Sequence, residues 1–242
     1  MTNPLTVCAV VFLALATLSV WVFKKPYCFF LFLIGACFFI LLAHALPLSG
    51  LISFAILAIL HFFIPKQGPV LVRASLFTLA ALLSFGLILH IVPGAHLLHI
   101  IKDASVSAKS PTFNLNLSMN EAFVGLIPLA LSIPLIRSHF QCQFVWKKTL
   151  LFTALLLLTF FTVGCFTHLL RFEPKVPFFS LSFLFSNLFL SVIPQEAFFR
   201  GFLQRQFSLF FSHNGYKWVS VAFSAVLFAL MQLTFHVQFP FI

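Results

Sequence analysis

Pro194-Gln195-Glu196-Ala197-Phe198-Phe199-Arg200-Gly201-Phe202-Leu203-Gln204-Arg205 sets a carboxylate and a guanidinium directly after an apolar run, Val176 to Ile193. The 242-residue chain holds only four acidic residues, Asp103, Glu121, Glu173 and Glu196. Three of them fall in polar connections or at helix starts. Glu196 alone is set deep in apolar sequence. A charge at bilayer depth costs roughly 2.5–3.5 kcal/mol, so an acid placed there points to a functional site. Arg200 follows one helical turn later. Residues four apart share a helix face, and Glu before Arg is the favourable order. The pair can therefore neutralise itself within a membrane.

The surroundings of this stretch set the class of protein. The chain is 62% hydrophobic and 7% charged, against about 25% charged residues in a soluble domain. Such a composition cannot keep a soluble surface, and it predicts an all-α polytopic membrane protein. The net charge of +10 does not argue for nucleic acid as a partner. The basic residues stand singly or in pairs at the ends of apolar runs, where the positive-inside rule puts them. The expected surroundings are membrane lipids. Cys8, Cys28, Cys37, Cys142 and Cys165 include no Cys-x-x-Cys pair and read as small apolar residues. His96 and His99 stand three apart but have no carboxylate or cysteine set beside them, so no metal or other cofactor is expected.

Eight apolar segments are long enough, or nearly so, to cross about 30 Å of hydrocarbon. They are about Leu5–Phe23, Tyr27–Ala45, Leu48–Ile64, Val70–Val92, Ala122–Ile136, Thr149–Leu170, Val176–Ile193 and Val219–Leu233. The first has no positive charge before it, which reads as an uncleaved span. Residues 93–119 break the pattern and predict a long loop, with an interfacial helix around His96–Ile101. Ser118 and Glu121 have capping-box spacing, so Glu121 is expected to cap the fifth span. With the amino terminus outside, ten basic residues fall on the inner side and four on the outer. That topology puts the Gln195–Arg205 stretch at the cytoplasmic end of span seven. Pro194 is expected to kink the axis there, opening a polar cavity beside Glu196. The amides of Gln195 and Gln232 are candidates for a hydrogen bond between helices.

The stretch resembles the first motif of the CAAX-protease and bacteriocin-processing family of intramembrane glutamic endopeptidases. That motif is a Glu-Glu pair, three residues, then Arg, often ending in Phe-Arg-Gly. Here it stands as Gln195-Glu196-Ala197-Phe198-Phe199-Arg200-Gly201, with an amide at the first position. The family's second motif, Phe, three residues, then His, is similar to Phe228-Ala229-Leu230-Met231-Gln232, with an amide where the histidine would be. His236 follows one helical turn later. The third motif, His with Asn or Asp on a further apolar helix, is not among these residues, as expected of a degenerate member or of a fragment cut before it.

The resemblance divides the chain into residues 1–175, with spans one to six, and a core at 176–242. It implies hydrolysis of a peptide bond in a membrane-associated substrate, a prenylated or bacteriocin-like protein, by a glutamate-activated water without a cofactor. It implies an integral, multi-pass protein of a bacterial cytoplasmic membrane. The family's base is the first Glu of the pair, and the Gln195 amide is not basic. The catalytic set expected here is therefore Glu196, Arg200 and His236, with Gln195 and Gln232 at altered motif positions. The alternative is an inactive relative that holds a peptide or partner in the same cavity.

Overall fold

The computed structural model describes residues 4–23, 26–64, 69–104, 113–135, 139–167, 176–210 and 217–238. Among these residues the chain forms eight apolar helices and one β-hairpin. The helices are α1 (Pro4–Val22), α2 (Pro26–Leu42), α3 (Leu48–Phe63), α4 (Val70–Ile88), α5 (Met119–Leu131), α6 (His139–Phe166), α7 (Ser180–Phe210) and α8 (Lys217–Gln238). The all-α membrane class fits. Four apolar stretches reach spanning length: Pro4–Val22, Val70–Ile88, Val145–Phe166 and Ser180–Phe210. The remaining apolar stretches, Tyr27–Leu42, Leu48–Phe63, Met119–Leu131 and Trp218–Leu233, are shorter.

The chain divides into two compact units. One combines residues 1–133 with 181–242; the other is residues 134–180, which hold α6. Within the first unit α5 is the hub. Every residue from Ala122 to Leu129 is buried, because α5 has apolar side chains all round and packs against α1, α2, α3, α4 and α7. Phe123 stacks on Phe54 of α3 at 4.3 Å between ring centroids. Asn120, fully buried in the first turn of α5, receives the Ala95 N–H at 2.7 Å and donates to the Leu87 carbonyl at 2.9 Å. One side chain thereby ties the chain after α4 to the start of α5. Gly94 lies against this amide, and a Cβ there would collide with it.

Two expectations are corrected, and the seventh span proves longer than its apolar run. The region after Pro93 is not a loop with an interfacial helix at His96–Ile101. It carries the antiparallel hairpin β1 (Leu97–Ala104) and β2 (Phe113–Ser118), in a register that runs from Leu97↔Ser118 to Ala104↔Phe113 with two irregularities. Phe113-Asn114-Leu115-Asn116-Leu117-Ser118 alternates apolar and polar residues, the period of a half-buried strand, and Leu115 is buried. The seventh span runs on into the motif, as expected, and beyond it. The helix runs on to Phe210 as one 31-residue element, with π-helical turns at Leu188–Val192 and Ala197–Gln204. Pro194 sits inside it, just after the first π turn. Glu121 does not cap α5: the Ser118 N-cap makes no side-chain cap hydrogen bond, its hydroxyl is buried without a partner among the described residues, and the Glu121 carboxylate is used elsewhere.

Candidate active site

The second π turn of α7 sorts the motif into two faces. Ala197, Phe198, Phe199, Phe202 and Leu203 are buried. Phe198 and Phe199 meet Phe85 of α4, and Phe202 meets Phe77 of α4 and His61 of α3. Glu196 and Arg200 lie on the other face. Arg200 Nε stands 3.0 Å from Glu196 Oε2, with 74% of the Arg200 side chain and 51% of the Glu196 side chain exposed. The pair is as predicted. Both groups line an open cavity, the feature expected beside Glu196.

That cavity, of about 370 Å³, lies between α7 and α8 and is lined by Gln195, Glu196, Phe199, Arg200, Gln204, Val221, Ser224, Ala225 and Phe228. Two contacts hold its walls at a fixed spacing. Ser224 of α8 donates to the Phe199 carbonyl at 2.9 Å, a carbonyl in the π turn, where the regular helical ladder is interrupted. Phe228 meets Phe199 edge-on at 5.2 Å. Phe228, the aromatic residue of the second motif, thus faces the first motif across the cavity.

Gln195 also lines the cavity, but its amide nitrogen donates to Glu121 Oε2 of α5 at 2.8 Å. The expected partnership of Gln195 with Gln232 is therefore replaced by one with Glu121. Gln232 is half-buried on α8, one turn beyond Phe228, and is not among the cavity-lining residues. His236 is on α8 by its backbone, but its side chain lies outside the described residues.

Glu121, Gln204, Val221, Ser224 and Ala225 were not expected at the site from the sequence. Spacing could have found most of them. Val221, Ser224, Ala225 and Phe228 stand at i, i+3, i+4 and i+7, one helix face, and Gln204 is four residues after Arg200. Nothing in the sequence links Glu121 to Gln195, which are 74 residues apart.

Residues 177–242 match the family model described as type II CAAX prenyl endopeptidase, Rce1-like. Over these residues the chain is similar to the CAAX endopeptidase family. The match begins just before α7 and takes in both cavity walls, so the resemblance read from the two motifs holds over these residues. No curated protein and no solved structure gives a match. Within this CAAX-endopeptidase-like region the cavity offers one carboxylate, one guanidinium, two primary amides and a hydroxyl that is already committed to Phe199. Arg200 has five N–H donors, of which Nε goes to Glu196. The others project from an exposed side chain and can meet a substrate carbonyl oxygen.

Proposed function

We propose that the cavity between α7 and α8 takes a peptide segment from a membrane-associated substrate, and that Glu196 activates the water that cleaves it. The observation that carries this reading is the Glu196–Arg200 pair on the wall of a cavity bounded by both motif helices. The volume lies within the range of about 300–1,000 Å³ usual for ligand pockets. Glu196 binds Arg200 through Oε2, leaving Oε1 for a water. That oxygen takes the water proton as the water attacks the scissile carbonyl. The oxyanion forms within reach of the remaining Arg200 donors. The proton then passes to the leaving amide nitrogen as the C–N bond breaks. The substrate class implied by the family is a prenylated or bacteriocin-like protein, met near the cytoplasmic face of a bacterial membrane.

The test is purified protein in proteoliposomes with a farnesylated peptide ending in a CAAX sequence and, separately, a bacteriocin leader peptide. Cleavage that drops by about 10²–10⁴-fold in Glu196→Gln supports the reading. A second reading, a scaffold that binds the peptide without cutting it, is favoured by the amide at position 195 and its bond to Glu121. Wild-type binding with no cleavage decides for the scaffold.

A further inference from the structure

Gln195 is held from behind. Its Nε2 donates to Glu121 Oε2 at 2.8 Å, while Gln195 lines the cavity and Glu121 does not. The register of this contact is set by backbone. Gly125, one turn after Glu121, lies so close to Pro194 that any Cβ would collide with the Pro194 carbonyl, Cα and carbonyl carbon. Helices α5 and α7 thus touch main chain to main chain one residue before Gln195. Neither Glu121 nor Gln195 can slide past the other.

Glu121 Oε2 is the acceptor of this bond, so the nitrogen end of the amide faces Glu121. The carbonyl end of a planar amide points the other way. We propose that Glu121 is a positioning residue that fixes the Gln195 amide with its carbonyl oxygen as an acceptor in the cavity, and that this oxygen receives a backbone N–H of the bound peptide. The first position of the motif then serves substrate binding, and the acid that orients it comes from the centre of the bundle. This inference rests on the peptide-binding reading above and adds to it the group that grips the peptide main chain.

The experiment uses full-length protein in nanodiscs and a fluorescein-labelled farnesylated CAAX peptide, with the dissociation constant and the unfolding midpoint read in parallel. Glu121→Gln leaves an acceptor for Nε2 but no longer dictates the amide's orientation. Binding is expected to weaken about fivefold, the net worth of one ordinary hydrogen bond to the peptide. Gln195→Glu sets two carboxylates against each other and is expected to weaken binding and lower the unfolding midpoint. Adding Glu121→Gln to it restores one acid facing one amide and is expected to recover the midpoint. Binding stays weak in that double variant, because the cavity side of the pair then carries a carboxylate and no fixed amide carbonyl. Unchanged binding in Glu121→Gln, or additive losses of midpoint in the double variant, overturns the proposal. Failure of the wild type to bind the peptide overturns the cavity reading itself, and this inference with it.

Discussion

Arg200 and Glu196 form an i,i+4 pair at 3.0 Å with much of both side chains open to the cavity, and such helix pairs contribute only about 0.3–0.5 kcal/mol where water reaches them. Arg200→Ala is therefore expected to leave the unfolding midpoint in detergent nearly unchanged while sharply reducing peptide cleavage or binding. A large drop in midpoint would make the pair chiefly structural. A second residue-scale expectation concerns His90, beyond the end of α4. Partial desolvation of this largely exposed side chain, aided by repulsion from His96, holds its imidazole below the ordinary range despite a backbone hydrogen bond that raises it. The folded chain then binds a proton there less readily than the unfolded chain does. Stability from this group is complete above the unfolded imidazole value of about 6.5 and is lost as the pH falls below it. His90 also has φ of 57°, which asparagine tolerates. His90→Asn should keep the turn and flatten the fall of the unfolding midpoint between about pH 7 and pH 5. An equal fall in both proteins would contradict this. At this scale the sequence shows Glu196 and Arg200 by rarity and spacing. The role of Glu121 was hidden because its capping spacing with Ser118 was a local signal, and a contact across 74 residues of chain overrode it.

At the scale of elements, the contact of α5 with α7 decides the site. The two main chains approach so closely at Gly125 and Pro194 that no side-chain carbon fits between them. Gly125→Ala must push the helices apart, which costs roughly 1–3 kcal/mol as overpacking does. It should also break the Glu121–Gln195 bond. A thermal unfolding scan of the purified variant should show a clearly lowered midpoint, and an unchanged one would mean that the contact yields freely. The π turns in α7 have no sequence signature of the kind that marks a helix cap. They follow from packing, since Ala197–Gln204 must bury Phe198, Phe199 and Phe202 while Glu196 and Arg200 stay on the cavity side. The β-hairpin was legible in part. The alternation in Phe113–Ser118 was present, but Ser and Asn made the region read as a loop.

Taken as a whole, the molecule repeats its hydropathy pattern closely: all eight apolar segments of the sequence are helices among the described residues. Their lengths were less legible. Apolar sequence alone does not separate a helix that faces lipid from one enclosed by protein. The 13-residue α5 needs no membrane-spanning length, because other helices surround it. By contrast, α7 spans 31 residues, because Gln195, Glu196, Arg200 and Gln204 have a cavity to face and do not end the helix. The central claim is that this cavity is where a peptide binds. Photo-crosslinking tests it most directly, with a farnesylated CAAX peptide carrying a diazirine beside the scissile bond, bound to the intact protein in nanodiscs and mapped by mass spectrometry. The account predicts adducts on α7 between Gln195 and Gln204 and on the Val221–Phe228 face of α8, suppressed by excess unlabelled peptide. Adducts confined to other helices, with none on these two walls, would contradict it.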